Sequence, residues 1–239
     1  MQGLKQTILW ESGNALALLQ RGNYREATVS FLSALQTSKF LSGKLDEDYA
    51  GISATGSVVT AVEVNSQFII PNGIEGLISV FPKFMILKDQ QAFDAFCAQN
   101  LDSLSCLLLY NVGLSLQVEA LNSGNEMLMT KAYKAYKIGL ALLMTMQQRM
   151  TLGHDSVLLL LAMLNNAASV EETYFFNRTK VIQYIRRMET ILENVDFLET
   201  SSYDELDFFI FYLSMAPGMF LTQFQKNSSE KGIGCITTG

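Results

Sequence analysis

Apolar residues recur at intervals of three and four along most of this 239-residue chain, which is the spacing of one face of an α-helix. A helix is predicted over Thr7–Gln20, where Ile8, Leu9, Leu16, Leu18 and Leu19 supply the apolar positions. Arg21-Gly22-Asn23 reads as the turn after it, with glycine accepting a left-handed conformation and Asn23 able to cap the next helix. Tyr24, Ala27, Phe31, Ala34 and Leu35 then form one stripe of that second helix, which runs to about Lys39, so the first two helices make a hairpin. The same logic predicts helices over Leu101–Leu121 and Met127–Met150, joined by Asn122-Ser123-Gly124-Asn125. Val157–Val170 is apolar almost throughout, the pattern of a helix buried on most sides, with Asp155 or Ser156 as its cap. Val181, Ile185, Met188, Leu192 and Val195 mark its partner, and a last helix runs from Tyr203 past Tyr212.

Residues 41–100 break the helical period. They are rich in Gly, Ser and Thr, and Ser57–Val64 carries branched residues in a strand-like way. Phe68-Ile69-Ile70, Leu77–Phe81 and Pro82–Leu87 are short apolar or extended runs. The expectation is an irregular, partly β insertion between the first and second hairpins of a single domain spanning 1–239, with 226–239 as a disordered tail.

Small residues sit where paired helices must approach closely. Ala15, Gly113 and Ala168 occupy one such position, Ala27 and Ala132 a second, and Ala34 and Gly139 a third one turn on. Phe31 and Tyr136 supply an aromatic between them, and Asn111 and Asn166 stand just before the first small site. This pattern resembles the tetratricopeptide repeat family, whose members bind proteins or peptides in a concave groove. The resemblance implies a mainly α fold of antiparallel helical hairpins stacked in a right-handed array, with the β-containing insertion between. Its spacing is uneven, however, where the family repeats about every 34 residues. The family's terminal proline is absent, and Val181 stands where alanine is usual.

The resemblance also locates a candidate ligand groove at Tyr110, Asn111, Asn165 and Asn166, with exposed side chains of the first helix of each hairpin contacting the ligand. One family ligand is disfavoured. A C-terminal carboxylate needs basic side chains in the groove, and the equivalent positions here are Ser12, Leu16, Ala162 and Asn166.

Composition narrows the functional class. The chain is 49% hydrophobic and 17% charged, enough for a real core, and its 17 basic against 23 acidic residues argue against nucleic acid. The Lys131/Lys134/Lys137 and Arg178/Lys180/Arg186/Arg187 groups read as solvated helix faces. Glu189, Glu193, Asp196, Glu199, Asp204, Glu205 and Asp207 follow one another with no basic residue between, a candidate acidic rim for a basic peptide. Cys97, Cys106 and Cys235 have no metal-ligand spacing and read as free thiols of an intracellular, cytoplasmic protein. The start of the chain has no basic leader followed by an apolar run, and the two glycosylation triplets at Asn177 and Asn227 read as chance matches. Phe208–Phe224 is uncharged but short and interrupted by Pro217-Gly218, so it reads as a closing helix rather than a membrane span.

Catalytic chemistry finds little to stand on. His154 is the single histidine and sits in a Gly-His-Asp turn. Glu171-Glu172 and Asp204-Glu205 read as solvated pairs, and no phosphate loop, cofactor motif or metal-ligand set is present. The expected function is a non-catalytic scaffold or adaptor for a protein or peptide partner. The alternative is a structural subunit that self-associates or docks through its apolar C-terminal helix.

Overall fold

The computed structural model describes residues 2–42, 58–63, 80–99, 101–149, 152–194 and 204–215. Its elements in chain order are α1 (Gln2–Gln20), α2 (Tyr24–Ser42), β1 (Val59–Glu63), β2 (Lys83–Leu87), α3 (Gln90–Gln99) and α4 (Leu101–Ser123). They continue with α5 (Glu126–Arg149), α6 (His154–Thr173), α7 (Arg178–Asn194) and α8 (Asp204–Met215). The described chain is mainly helical with one small antiparallel sheet.

Consecutive helices pair as α1 with α2, α4 with α5 and α6 with α7. The first two turns rest on glycine. Gly22 (φ 77°) and Gly124 (φ 66°) adopt the left-handed conformation, and at the first turn Gly22 and Asn23 donate back to the carbonyls of Leu19 and Leu18. The third turn instead holds an exposed Phe176 at φ 53°, which a β-carbon disfavours. Each pair packs on the next, α2 against α4 and α5 against α6. The insertion lies between the first two hairpins in sequence, but it does not separate them in space.

The small residues lie at these contacts. Ala15, Ala27, Ala34, Ala132 and Ala168 are fully buried, as are Phe31 and Tyr136. A β-carbon on Gly113 would lie 2.5 Å from Cε1 of Tyr136, and one on Gly139 would lie 2.4 Å from the Met163 methyl. The backbone of α4 can therefore approach the Tyr136 ring only because residue 113 has no side chain.

The insertion departs from its expected form in one respect. It contains a helix, α3, where the sequence leads one to expect only strands and irregular chain. Asp89 caps α3 by accepting from the Ala92 amide (2.8 Å), and Phe93, Phe96 and Cys97 are buried on one face. Strands β1 and β2 pair antiparallel with Val59 opposite Leu87 and Glu63 opposite Lys83. The runs at 68–70 and 77–79 and the tail at 226–239 lie outside the described residues.

One described helix segment, Asp102–Ser123, is long and apolar enough to cross a membrane, and its most apolar 18-residue window is 78% buried inside the fold. In α8, Leu206, Phe209 and Leu213 are buried and the helix packs on α6. The remainder of the apolar 208–224 stretch beyond Met215 lies outside the described residues.

Candidate functional site

Helices α4 and α6 each bring an asparagine to one face of the molecule, and both grip the same piece of chain. The Met85 amide donates to Asn111 Oδ1 (3.0 Å), and Asn111 Nδ2 donates back to the Met85 carbonyl (2.6 Å). Four residues earlier, the Phe81 amide donates to Asn166 Oδ1 (2.7 Å), and Asn166 Nδ2 donates to the Phe81 carbonyl (3.3 Å). A side-chain amide offers one acceptor and two donors, so it can satisfy both main-chain groups of one residue. Between the two clamps, the Tyr110 hydroxyl donates to the Lys83 carbonyl at 2.8 Å and lies 3.3 Å from that of Phe81. Four extended residues span about 13 Å, so the clamp sets a register as well as a position.

A second layer orients the first. Asn165 Nδ2 donates to Asn166 Oδ1 (3.2 Å), and Tyr136 lies within 3.5 Å of Asn166 Nδ2 while donating to Gln117 Oε1 (2.8 Å). Burial raises the Tyr110 and Tyr136 hydroxyls well above the ordinary phenol range, so both remain protonated donors. Asp155 accepts from the Val58 amide at 2.9 Å and so holds the start of β1. It does not cap α6, whose N-cap is Gly153 without a side-chain bond.

The gripped segment also buries side chains. Phe81 meets Phe208 and Phe209 of α8, with ring centroids 5.0 and 4.9 Å away, and Phe84 stacks on Phe31 of α2 at 6.1 Å. Val80, Met85 and Leu87 are buried, whereas Pro82, Lys83 and Ile86 are half-buried.

Tyr110, Asn111, Asn165 and Asn166 are thus brought together, but not as exposed groove side chains. All four are buried: the chain's own residues 80–87 bond Tyr110, Asn111 and Asn166, and Asn165 bonds Asn166 behind them. The acidic rim is only partly described. Glu193 is exposed on α7, Asp196 and Glu199 lie outside the described residues, and α8 begins at Asp204 and Glu205. One turn back, burial together with repulsion from Glu193 raises the Glu189 carboxyl above its usual value.

Glu171 overturns its reading as a solvated carboxylate. It is fully buried and accepts from Tyr133 and from Lys180 Nζ (2.8 Å), while Tyr133 also lies 3.1 Å from the Tyr184 hydroxyl. Lys180, half-exposed, carries the compensating charge, and its hydrogen bond to Glu171 raises its pKa. Among the described residues the remaining reactive groups do not converge. Cys97 and Cys106 are free and buried, their thiols pushed up to about 12 by burial. His154 opens α6, its Nδ1 3.9 Å from Asp155 Oδ1. Among the described residues no group of three or more His, Cys, Asp or Glu could hold a metal ion.

No family model, curated protein or solved structure matches this chain.

Proposed function

We propose that this chain is a degenerate tetratricopeptide-type scaffold, a non-catalytic protein that binds an extended protein or peptide segment across α4 and α6. The observation that carries the reading is the paired grip of Asn111 and Asn166 on both main-chain groups of Met85 and Phe81. Main-chain bonds of this kind give affinity for an extended chain whatever its sequence, while flanking pockets select its side chains. A buried asparagine is costly unless bonded, and here both side-chain amides are committed to main-chain groups that would otherwise be buried without partners. Its repetition on two neighbouring helices, at positions four residues apart along one segment, supports a surface that holds a chain by its main chain.

The structural-subunit alternative loses part of its surface, since Leu206, Phe209 and Leu213 of the C-terminal helix face inward. It keeps some support at the other end, where Trp10 on α1 and Val29 and Phe40 on α2 are each more than 60% exposed. Affinity capture with mass spectrometry separates the two readings. A scaffold retains a partner that the Asn111→Ala/Asn166→Ala double variant releases while still melting cooperatively. A stable homo-oligomer whose contacts ignore both substitutions contradicts the peptide-binding reading.

A further inference from the structure

We infer that residues 80–87 are the groove's own displaceable ligand, and that the partner is an extended peptide matching their pattern: an aromatic residue, then an aromatic-aliphatic pair three and four residues on. This inference rests on the peptide-groove reading above and adds the ligand's chemistry and the means of its control.

Residues 80–87 belong to the core, and three of their features are also those of a groove's occupant. Their fixed points are main-chain groups at Phe81, Lys83 and Met85, which any extended peptide also carries. The helices also pack on one another directly, α2 on α4 and α5 on α6, so those contacts remain when the segment leaves. What is lost is its pairing with β1 and the core burial of Phe81, Phe84 and Met85. Their side chains divide as a ligand's would: Phe81, Phe84 and Met85 enter the fold, while Pro82, Lys83 and Ile86 stay half-buried. The buried set defines the side chains a competing peptide must present. Phe81 fits against Phe208 and Phe209, and Phe84 fits against Phe31.

An occupant tethered to its own groove competes at an effective concentration in the millimolar range, so the intact chain is closed to weak ligands. The apparent affinity for a peptide in trans falls by the fraction of molecules in which the segment has left. The groove is held shut by its own chain, and anything that loosens residues 80–87 opens it.

The test is a fluorescence-anisotropy titration of full-length protein with a labelled peptide of the sequence Val80–Lys88, blocked at both ends. A peptide with alanine at the Phe81 and Phe84 positions is the control. Met85→Pro removes the amide that Asn111 accepts from, and Ile86→Gly loosens the strand without deleting a fully buried side chain. The expected order of affinity is Met85→Pro, then Ile86→Gly, then wild type, with at least a 100-fold span between the ends. The control peptide binds none of them, and adding Asn111→Ala to Ile86→Gly abolishes the binding. Equal affinity for wild type and the folded variants overturns the closed-groove inference but leaves the peptide-binding reading standing. If Ile86→Gly, checked by its melting curve, binds library-selected peptides through Asn111 but not the Val80–Lys88 peptide, the proposed ligand pattern is wrong. If it binds no peptide at all, the function proposed above falls with it.

Discussion

Helices α6 and α7 form one hairpin yet face different surroundings. In α6 every residue from Leu158 to Glu171 is buried, Asn165, Asn166 and Ser169 among them. In α7 only the stripe Val181, Ile185, Met188, Ile191 and Leu192 is buried, and Arg186, Arg187 and Glu193 face solvent. The outer helix meets the fold on one side and water on the other, so its polar residues need no partner in the protein. The inner helix is covered on both sides, so each of its polar groups must find one. Exposed polar side chains of α7 such as Arg186 and Glu193 therefore report water, whereas buried ones on α4 and α6 such as Asn111 and Asn166 report another piece of chain.

Breaking the inner contacts should cost most. Asn166→Ala leaves the buried Phe81 amide without its partner and the Phe81 carbonyl with only the Tyr110 hydroxyl at 3.3 Å, and Asn111→Ala strips both main-chain groups of Met85. Each should lower unfolding stability in urea by about 2–4 kcal/mol, counting about 1–2 for each abandoned group. Arg187→Ala on the outer helix should change it by less than about 0.5 kcal/mol. Equal losses would erase the distinction between the two faces.

Close packing behind the clamp is the next test. Gly113→Ala forces a methyl to within 2.5 Å of the Tyr136 ring, whose hydroxyl is tied to Gln117. A loss of about 1–3 kcal/mol is expected from thermal or urea melts, with Gly13→Ala, where nothing lies within 4 Å of the new β-carbon, as the neutral-to-favourable control.

Alkaline pH loads the same buried groups. The thiols of Cys97 and Cys106 ionise near 9 when unfolded but only at about 12 when folded. Above pH 9 the unfolded chain therefore binds fewer protons than the folded one, and stability falls as pH rises. The tyrosines join from about pH 10, since burial raises Tyr110 and Tyr136 as well. Lys180 acts in the same direction, because its bond to Glu171 raises its pKa and that contribution fades as the amine deprotonates. Urea midpoints should thus decline progressively from pH 9 to 12, and a flat profile would deny that these groups are buried. The smallest effect belongs to the surface: Phe176→Gly relieves a left-handed phenylalanine and should raise stability by up to about 1 kcal/mol in the same melts.

The helices and their contact residues were legible because a 3.6-residue period and paired small residues survive in the sequence. Asn111 and Asn166 were legible too, as polar positions beside Gly113 and near Ala168, but what they bind was not. Their partners are main-chain groups of residues 80–87, and a main chain has no letter in the sequence. The helix α3 was concealed differently: its stripe of Phe93, Phe96 and Cys97 behind the Asp89 cap is readable, but ten residues give the period little room. Glu171 misled because charge usually means solvent, and only the fold brings Lys180 and Tyr133 to it.

Native-state hydrogen exchange at the Phe81 and Met85 amides tests the clamp most directly. The account predicts that both are protected, that they exchange together through an opening smaller than global unfolding, and that α4 amides such as that of Leu108 stay closed meanwhile. Rapid exchange at Phe81 and Met85 would contradict the clamp. Exchange only with global unfolding would make residues 80–87 permanent core and contradict a groove that opens.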